Sequence, residues 1–179
     1  VAQLLQMARL EPDARKPEQT LVPLDALVRQ VVGTFSARAE ERGIDLGVEN
    51  AEATWVLGDP HALRALLDNL VDNALRYTPP GARVDLRLQA VGDAQVALEV
   101  SDSGPGIAQA DRQRVLDRFV RLAHLSADAN ATGSGLGLSI VREIALRHHA
   151  ELALLDTPGG GLTVRLLFAR APALVTVAT

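Results

Sequence analysis

Between Pro60 and Ser101 the hydrophobic pattern changes its period, and that change restricts the chain to few architectures. Over residues 60 to 76 the apolar side chains share one side of a helix. On a wheel of about 100° per residue with Asn69 at zero, Leu63, Leu67, Leu70, Val71, Ala74 and Leu75 fall between about 100° and 240°. Asp59-Pro60 supplies an acidic N-cap followed by proline at the first helical position. Arg83 to Ala90 and Gln95 to Ser101 instead alternate apolar and polar residues across the turn Val91-Gly92-Asp93-Ala94, as paired strands with one buried face do. A one-sided helix and one-sided strands bury their apolar faces against each other, so a layer of helices on a sheet is expected.

The remaining elements fit that plan. Thr20 to Val22 reads as a short strand, Leu24 to Arg42 as an amphipathic helix closed by Gly43, and Ile44 to Glu49 and Ala53 to Leu57 as strands. A short helix is expected near Gln109 to Phe119 and a longer one over Leu136 to His148. Strands near Glu151 to Leu155 and Leu162 to Phe168 form a hairpin over Pro158-Gly159-Gly160-Gly161. The expected class is α+β, an α/β two-layer sandwich whose mixed, mostly antiparallel sheet is covered on one face by helices. No internal repeat is visible.

Bulk properties exclude several functions. The chain has 179 residues and 47% hydrophobic content, enough for a core without staples. Its net charge is −4 and its 18 cationic side chains are scattered, which argues against nucleic acid as a partner. The absence of cysteine excludes thiol redox chemistry and thiolate metal sites. No apolar run approaches the ~18 residues of a membrane span and no signal-peptide pattern opens the chain, so no direct membrane contact by this piece is expected. Residues 1 to 10 carry Leu4, Leu5, Met7, Ala8 and Leu10 on a short helix ended by Glu11-Pro12, and that much apolar surface needs a partner. It docks on its own domain or is the end of a longer helical hairpin. Residues 13 to 19, with Pro17, read as a linker.

Asn69, Asn73 and Arg76 fall within about 60° of one another opposite the apolar face of the 60 to 76 helix. Such a stripe is ordinarily a solvated face. Two glycine clusters change its meaning: Asp102-Ser103-Gly104-Pro105-Gly106-Ile107 puts a carboxylate on a sharp turn, and Gly133-Ser134-Gly135-Leu136-Gly137-Leu138 opens a helix. Glycines there let backbone N–H groups and a positive helix end approach phosphates. Either cluster alone also occurs as a plain connection. With the helix they outline a nucleotide pocket.

At this point the chain resembles a known family. Leu66-Leu67-Asp68-Asn69-Leu70-Val71-Asp72-Asn73-Ala74-Leu75-Arg76-Tyr77-Thr78-Pro79 is similar to the N box of bacterial sensor histidine kinases. Asp102 to Ile107 resembles their first glycine box, Asp117-Arg118-Phe119-Val120-Arg121 their F box, Gly133 to Leu138 their second glycine box, and Gly159 to Thr163 their terminal glycine and threonine element. Several motifs in order are far more specific than any one. The Arg76-Tyr77 pair and the compact loop are similar to the QseC-type branch.

The resemblance implies a Bergerat-type ATP-binding fold with ATP and Mg²⁺ as ligands. Asn73 would offer an amide oxygen to the metal, and Asn69 would assist at the phosphates. Arg76 would pair with the polyphosphate and Arg121 would reach the γ-phosphate. Tyr77 and Ile107 would line the adenine pocket, and Asp102 would accept from the adenine amino group, selecting ATP over GTP. Gly104 and Gly106 would permit the close turn. Gly133, Ser134, Gly135, Leu136, Gly137 and Leu138 would form the lid end and phosphate cradle, and Thr163 would bind a water that shares the work of Asp102. The catalytic group is therefore Asn69, Arg76 and Arg121.

By the same resemblance, residues 1 to 12 are the end of a dimerisation and phosphoacceptor hairpin, 13 to 19 a linker, 20 to 170 the ATP-binding catalytic domain and 171 to 179 a tail. Leu122 to Thr132 would be an ATP lid. His61, His124, His148 and His149 all lack the family's phosphoacceptor context; His148 and His149 read as structural cations at a helix end. The implied partners are the chain's own dimerisation domain in a full-length homodimer and a response regulator, and the implied place is the cytoplasmic side of an inner-membrane sensor. A P-loop enzyme and a eukaryotic-type protein kinase are excluded because the only lysine, Lys16, lies in the linker. The rivals are a gyrase-like or chaperone-like ATPase, an anti-sigma serine kinase and a regulatory nucleotide-binding module without transfer.

Overall fold

A computed structural model describes residues 19–121 and 134–171. The expected helix at 1 to 10, most of the linker, the lid with His124, Gly133 and the tail beyond 171 lie outside the described residues.

Among the described residues, five strands form one mixed sheet in the order β2 (Asp45–Ala51), β4 (Arg83–Val91), β5 (Gln95–Asp102), β7 (Leu162–Ala169), β6 (Glu151–Asp156). Only the β2–β4 pair is parallel. The sheet's inner face is a continuous apolar patch: Val84, Leu86 and Leu88 from β4, Val96, Leu98 and Val100 from β5, and Val164, Leu166 and Phe168 from β7 are all buried. The alternate positions point outward and pair by charge, Arg87 with Glu49 and Arg165 with Glu99. Period-two alternation read along β4 and β5 thus becomes an inner apolar face and an outer face, on which Ala97 and Glu99 of β5 are buried as well.

Helices α1 (Leu24–Glu41), α2 (Pro60–Tyr77) and α3 (Gly137–Arg147) cover the inner face. The start of α2 is fixed locally: the Asp59 carboxylate accepts from the His61 and Ala62 N–H groups at 2.8 and 3.3 Å, a cap that contributes about 1 kcal/mol. Leu63, Leu66, Leu67, Leu70, Val71 and Leu75 are buried beneath it. Helix α1 ends on Gly43, where the Gly43 and Ile44 N–H groups return to Glu40 and Ala39.

Two expectations need correction. The strands near Thr20 and Trp55 do not join the main sheet; β1 (Thr20–Pro23) and β3 (Trp55–Gly58) make their own antiparallel ribbon, tied to the end of β7 by the Ala171 N–H to the Trp55 carbonyl at 2.8 Å. The helix expected over 109 to 119 is only two 3₁₀ turns, Gln109–Asp111 and Arg114–Leu116. Arg112 holds the segment from outside, donating to the carbonyls of Ile107 and Leu154, both at 3.1 Å, so the chain follows the sheet edge instead of its own helical ladder. His148 is structural, as expected: its Nε2 accepts the Asp59 N–H at 3.1 Å while Nδ1 lies 2.8 Å from the Ile144 carbonyl oxygen, tying the end of α3 to the start of α2.

Candidate functional site

A cleft enclosing about 960 Å³, part of it open to solvent, lies between α2, the turn after β5, and the start of α3. Helix α2 contributes Leu70, Asp72, Asn73, Ala74, Arg76 and Tyr77; β5 and β7 contribute Val100, Asp102, Leu162 and Val164; the 105 to 121 segment contributes Pro105, Gly106, Ile107, Val115, Val120 and Arg121. Ser134, Gly135, Gly137 and Leu138 close the far side.

Asp102 sits at the apolar end. It is 8% exposed, and its Oδ1 accepts from the Gly104 N–H at 2.9 Å and the Leu162 N–H at 3.2 Å. Burial raises its pKa above the ordinary carboxyl value, and the two backbone donors oppose that rise. Because both donors converge on Oδ1, Oδ2 is the oxygen left for an amino group in the cleft. Gly161 holds the position from behind. With φ at +113°, a Cβ there would stand 1.8 Å from the Asp102 carbonyl oxygen, so only glycine lets the two turns nest.

The polar end is built by close approach of helices. A Cβ on Gly137 would stand 2.7 Å from the Asn73 Nδ2 and 2.9 Å from its Oδ1, so the bare backbone at the start of α3 is what admits the Asn73 carboxamide. The Phe119 N–H donates to the Gly135 carbonyl at 2.9 Å, joining the F box to the second glycine cluster. Arg76 pairs with Asp72 at 2.8 Å on the cleft wall. Arg121 is exposed at the other wall.

Of the residues singled out from the sequence, Asn73, Arg76, Tyr77, Asp102, Gly106, Ile107, Arg121, Ser134, Gly135, Gly137 and Leu138 line this cleft. Gly104 is one residue removed, serving Asp102 through its N–H. Leu136 is 1% exposed and belongs to the core under α3. Asn69 is not solvated: it is 6% exposed, with Nδ2 donating to the Ala65 carbonyl at 2.7 Å, and it lies outside the cleft lining described. Thr163 requires a correction. It pairs in register with Ser101, and its hydroxyl meets those of Ser101 and Thr157, both at 2.9 Å, on the sheet face opposite Asp102. Strand alternation puts Leu162 and Val164, not Thr163, into the cleft.

Sequence reading passed over Asp72, Val100, Leu162 and Val164. The strand residues had a signal: counting by two from Asp102 gives Val100. Asp72 had one too, lying about 40° from Arg76 on the helical wheel.

Residues 58–172 match the family described as histidine kinase-, DNA gyrase B- and HSP90-like ATPases. The chain is 35% identical over 175 residues to the sensor-like histidine kinase SenX3 of Mycobacterium tuberculosis strain H37Rv, covering 98% of this chain and 42% of that relative's length. Among solved structures, full-length ShkA in complex with AMPPNP is 30% identical with a TM-score of 0.80, covering 96% of this chain and 35% of that one. The cytoplasmic segment of the histidine kinase QseC is 25% identical with a TM-score of 0.65 over 95% of this chain and 90% of that one. That lower score does not single out the QseC-type branch.

Proposed function

The chain belongs to the family of histidine kinase-, DNA gyrase B- and HSP90-like ATPases, and from that premise we propose that it binds ATP with Mg²⁺ and passes the γ-phosphoryl group to a histidine on a dimerisation hairpin. The observation that carries this is the polarity of the cleft, with a buried carboxylate at one end and two arginines at the other. Adenine fits the first: flanked by Val100, Ile107, Leu162 and Val164, Asp102 Oδ2 accepts from its amino group, where guanine would bring a carbonyl oxygen against a carboxylate. The triphosphate fits the second, against Arg76 and Arg121. The likeness to ShkA, solved with AMPPNP, supports the same nucleotide class.

The donor set also fits a hard cation. Among the described residues no cluster of three His, Cys, Asp or Glu side chains could hold a metal, whereas the Asn73 carboxamide lines the cleft beside Gly137 and its oxygen would hold Mg²⁺, a cation that takes few protein ligands. Held there, Mg²⁺ would supply positive charge against the phosphates. In the transfer itself the histidine nitrogen forms a bond to the γ-phosphorus as the bond to the β,γ-bridging oxygen breaks, leaving ADP. Arg76 and Arg121 stabilise charge on the oxygens as it moves.

This chemistry separates the kinase reading from the ATPase rival. Hydrolysis needs a base beside water, worth about 10²–10⁴ in rate, and position 69 is an amide. Among the described residues, the carboxylate that lines the cleft beside Arg76 is Asp72, and both its oxygens are engaged by arginines. The acceptor histidine, the response regulator that takes the phosphoryl group, and attachment to the cytoplasmic side of a membrane sensor complete the proposal; among the described residues no helix is long and apolar enough to cross a membrane. The test is acid-labile phosphate on a separately supplied hairpin in the presence of this chain and Mg-ATP. Steady-state hydrolysis above about 1 s⁻¹ with no transfer would favour the ATPase instead.

A further inference from the structure

The Asp72 carboxylate is shared between two helices. Its Oδ2 takes the Arg76 guanidinium of its own helix at 2.8 Å, and its Oδ1 takes the guanidinium of Arg38, which stands on α1. At the C-cap of α1, Arg42 donates to the Arg76 main-chain carbonyl at 3.4 Å. Arg38 is steadied by the Phe35 ring, 6.0 Å from its centroid, and is not among the residues lining the cleft, whereas Asp72 and Arg76 both are. Any influence of Arg38 on a ligand therefore passes through Asp72.

We propose that Asp72, held by Arg38, is a positioning residue that presents Arg76 to the polyphosphate, and that α1 thereby tunes phosphate affinity; this rests on the nucleotide reading above. Two physical effects support it. A long guanidinium fixed before the ligand arrives has less conformational freedom to lose on binding. A lone Asp72–Arg76 pair would also be neutral and would compete with phosphate for the guanidinium. With Arg38 sharing the carboxylate the triad carries net charge +1, so Arg76 is oriented without being cancelled.

The test is calorimetry on the intact chain with Mg-ATP and, separately, with adenosine. Arg38→Met should weaken ATP about tenfold, within the range carried by such networks, while adenosine binding and the melting temperature stay close to the unmodified protein. Arg38→Lys, which keeps the charge, should recover most of the loss. In an Asp72→Asn background Arg38→Met should have no further effect. The proposal is overturned if Arg38→Met leaves ATP affinity unchanged, if it weakens ATP and adenosine alike, or if its effect persists undiminished beside Asp72→Asn. Because Arg38 is only partly buried, the Met and Lys variants decide the matter even if Asp72→Asn does not fold. Failure of the unmodified chain to bind ATP would remove both readings, whereas ATP binding that ignores Arg38 would remove only this one.

Discussion

The two ends of the cleft are made by different means. At the apolar end, Val100, Asp102, Leu162 and Val164 come from β5 and β7, whose antiparallel register fixes every side chain relative to its neighbours. In the proposed nucleotide complex, one buried carboxylate would do the discriminating. At the polar end Arg76, Arg121 and Ser134 come from the last turn of α2 and from the two chain segments that flank residues 122–133, and Arg121 and Ser134 are exposed. A buried acceptor with one partner carries its energy alone, while exposed cations in high dielectric share theirs. Recognition of the base should therefore be concentrated in one residue and recognition of the phosphates spread over several.

The largest effect tests the concentrated end. Asp102→Ala should lower ATP affinity by roughly ten- to over a hundredfold, the cost of removing a charged hydrogen-bond acceptor of about 1.5–3 kcal/mol. Calorimetry would also show the preference for ATP over GTP collapse in this variant; equal affinity for the two nucleotides in the unmodified chain would break the comparison outright.

A smaller effect is expected where the ends meet. Gly137→Ala would press a methyl group onto Asn73, and the carboxamide has to move. ATP affinity in the presence of Mg²⁺ should fall about tenfold, comparable to losing one charge-assisted contact, with little change when the metal is chelated. An equal loss with and without the metal would show that Asn73 acts on the nucleotide directly.

At the dispersed end a single change should matter less. Arg121→Met should weaken ATP only about two- to fivefold, as suits an exposed ion pair worth up to about 1 kcal/mol, and leave adenosine binding untouched. A loss as large as that of Asp102→Ala would mean that the phosphates, too, depend on one group.

The smallest expected effect concerns stability. Burial raises the Asp102 pKa above its unfolded value of about 3.9, so the folded chain holds that proton more tightly than the unfolded chain does. Its contribution to stability is therefore lost as pH rises from the unfolded pKa through the folded one, and the buried charge remains a cost above that window. Asp102→Asn, which keeps an oxygen for the Gly104 and Leu162 N–H groups, should melt slightly higher than the unmodified chain at pH 7. The advantage should shrink as the pH approaches 4. A lower melting temperature at pH 7 would show that the backbone donors outweigh desolvation and that the apolar end is not strained.

Much of this was legible in the sequence because the signals are local. The start of α2 is written in Asp59-Pro60 and its buried face in leucines spaced three and four apart. The same holds for β4 and β5, whose alternation survives as an inner and an outer face. The 109 to 119 segment misled because its helical pattern is real but weaker than its side-chain anchors, above all Arg112 reaching to β6.

What the sequence by itself determined is the kind and order of elements and the presence of a carboxylate turn and glycine-rich segments beside an asparagine-bearing helix, since caps, turns and periodicities are set by residues within a few positions of one another. Tertiary structure alone decided which of those residues face the same space. Ser101 meets Thr163 across 62 positions, which turns Thr163 away from the cleft, and Arg38 meets Asp72 across 34, which commits a carboxylate that the helix alone leaves open. Strand register and helix packing set such pairings through contacts distributed over the whole core, and no short stretch of chain encodes them.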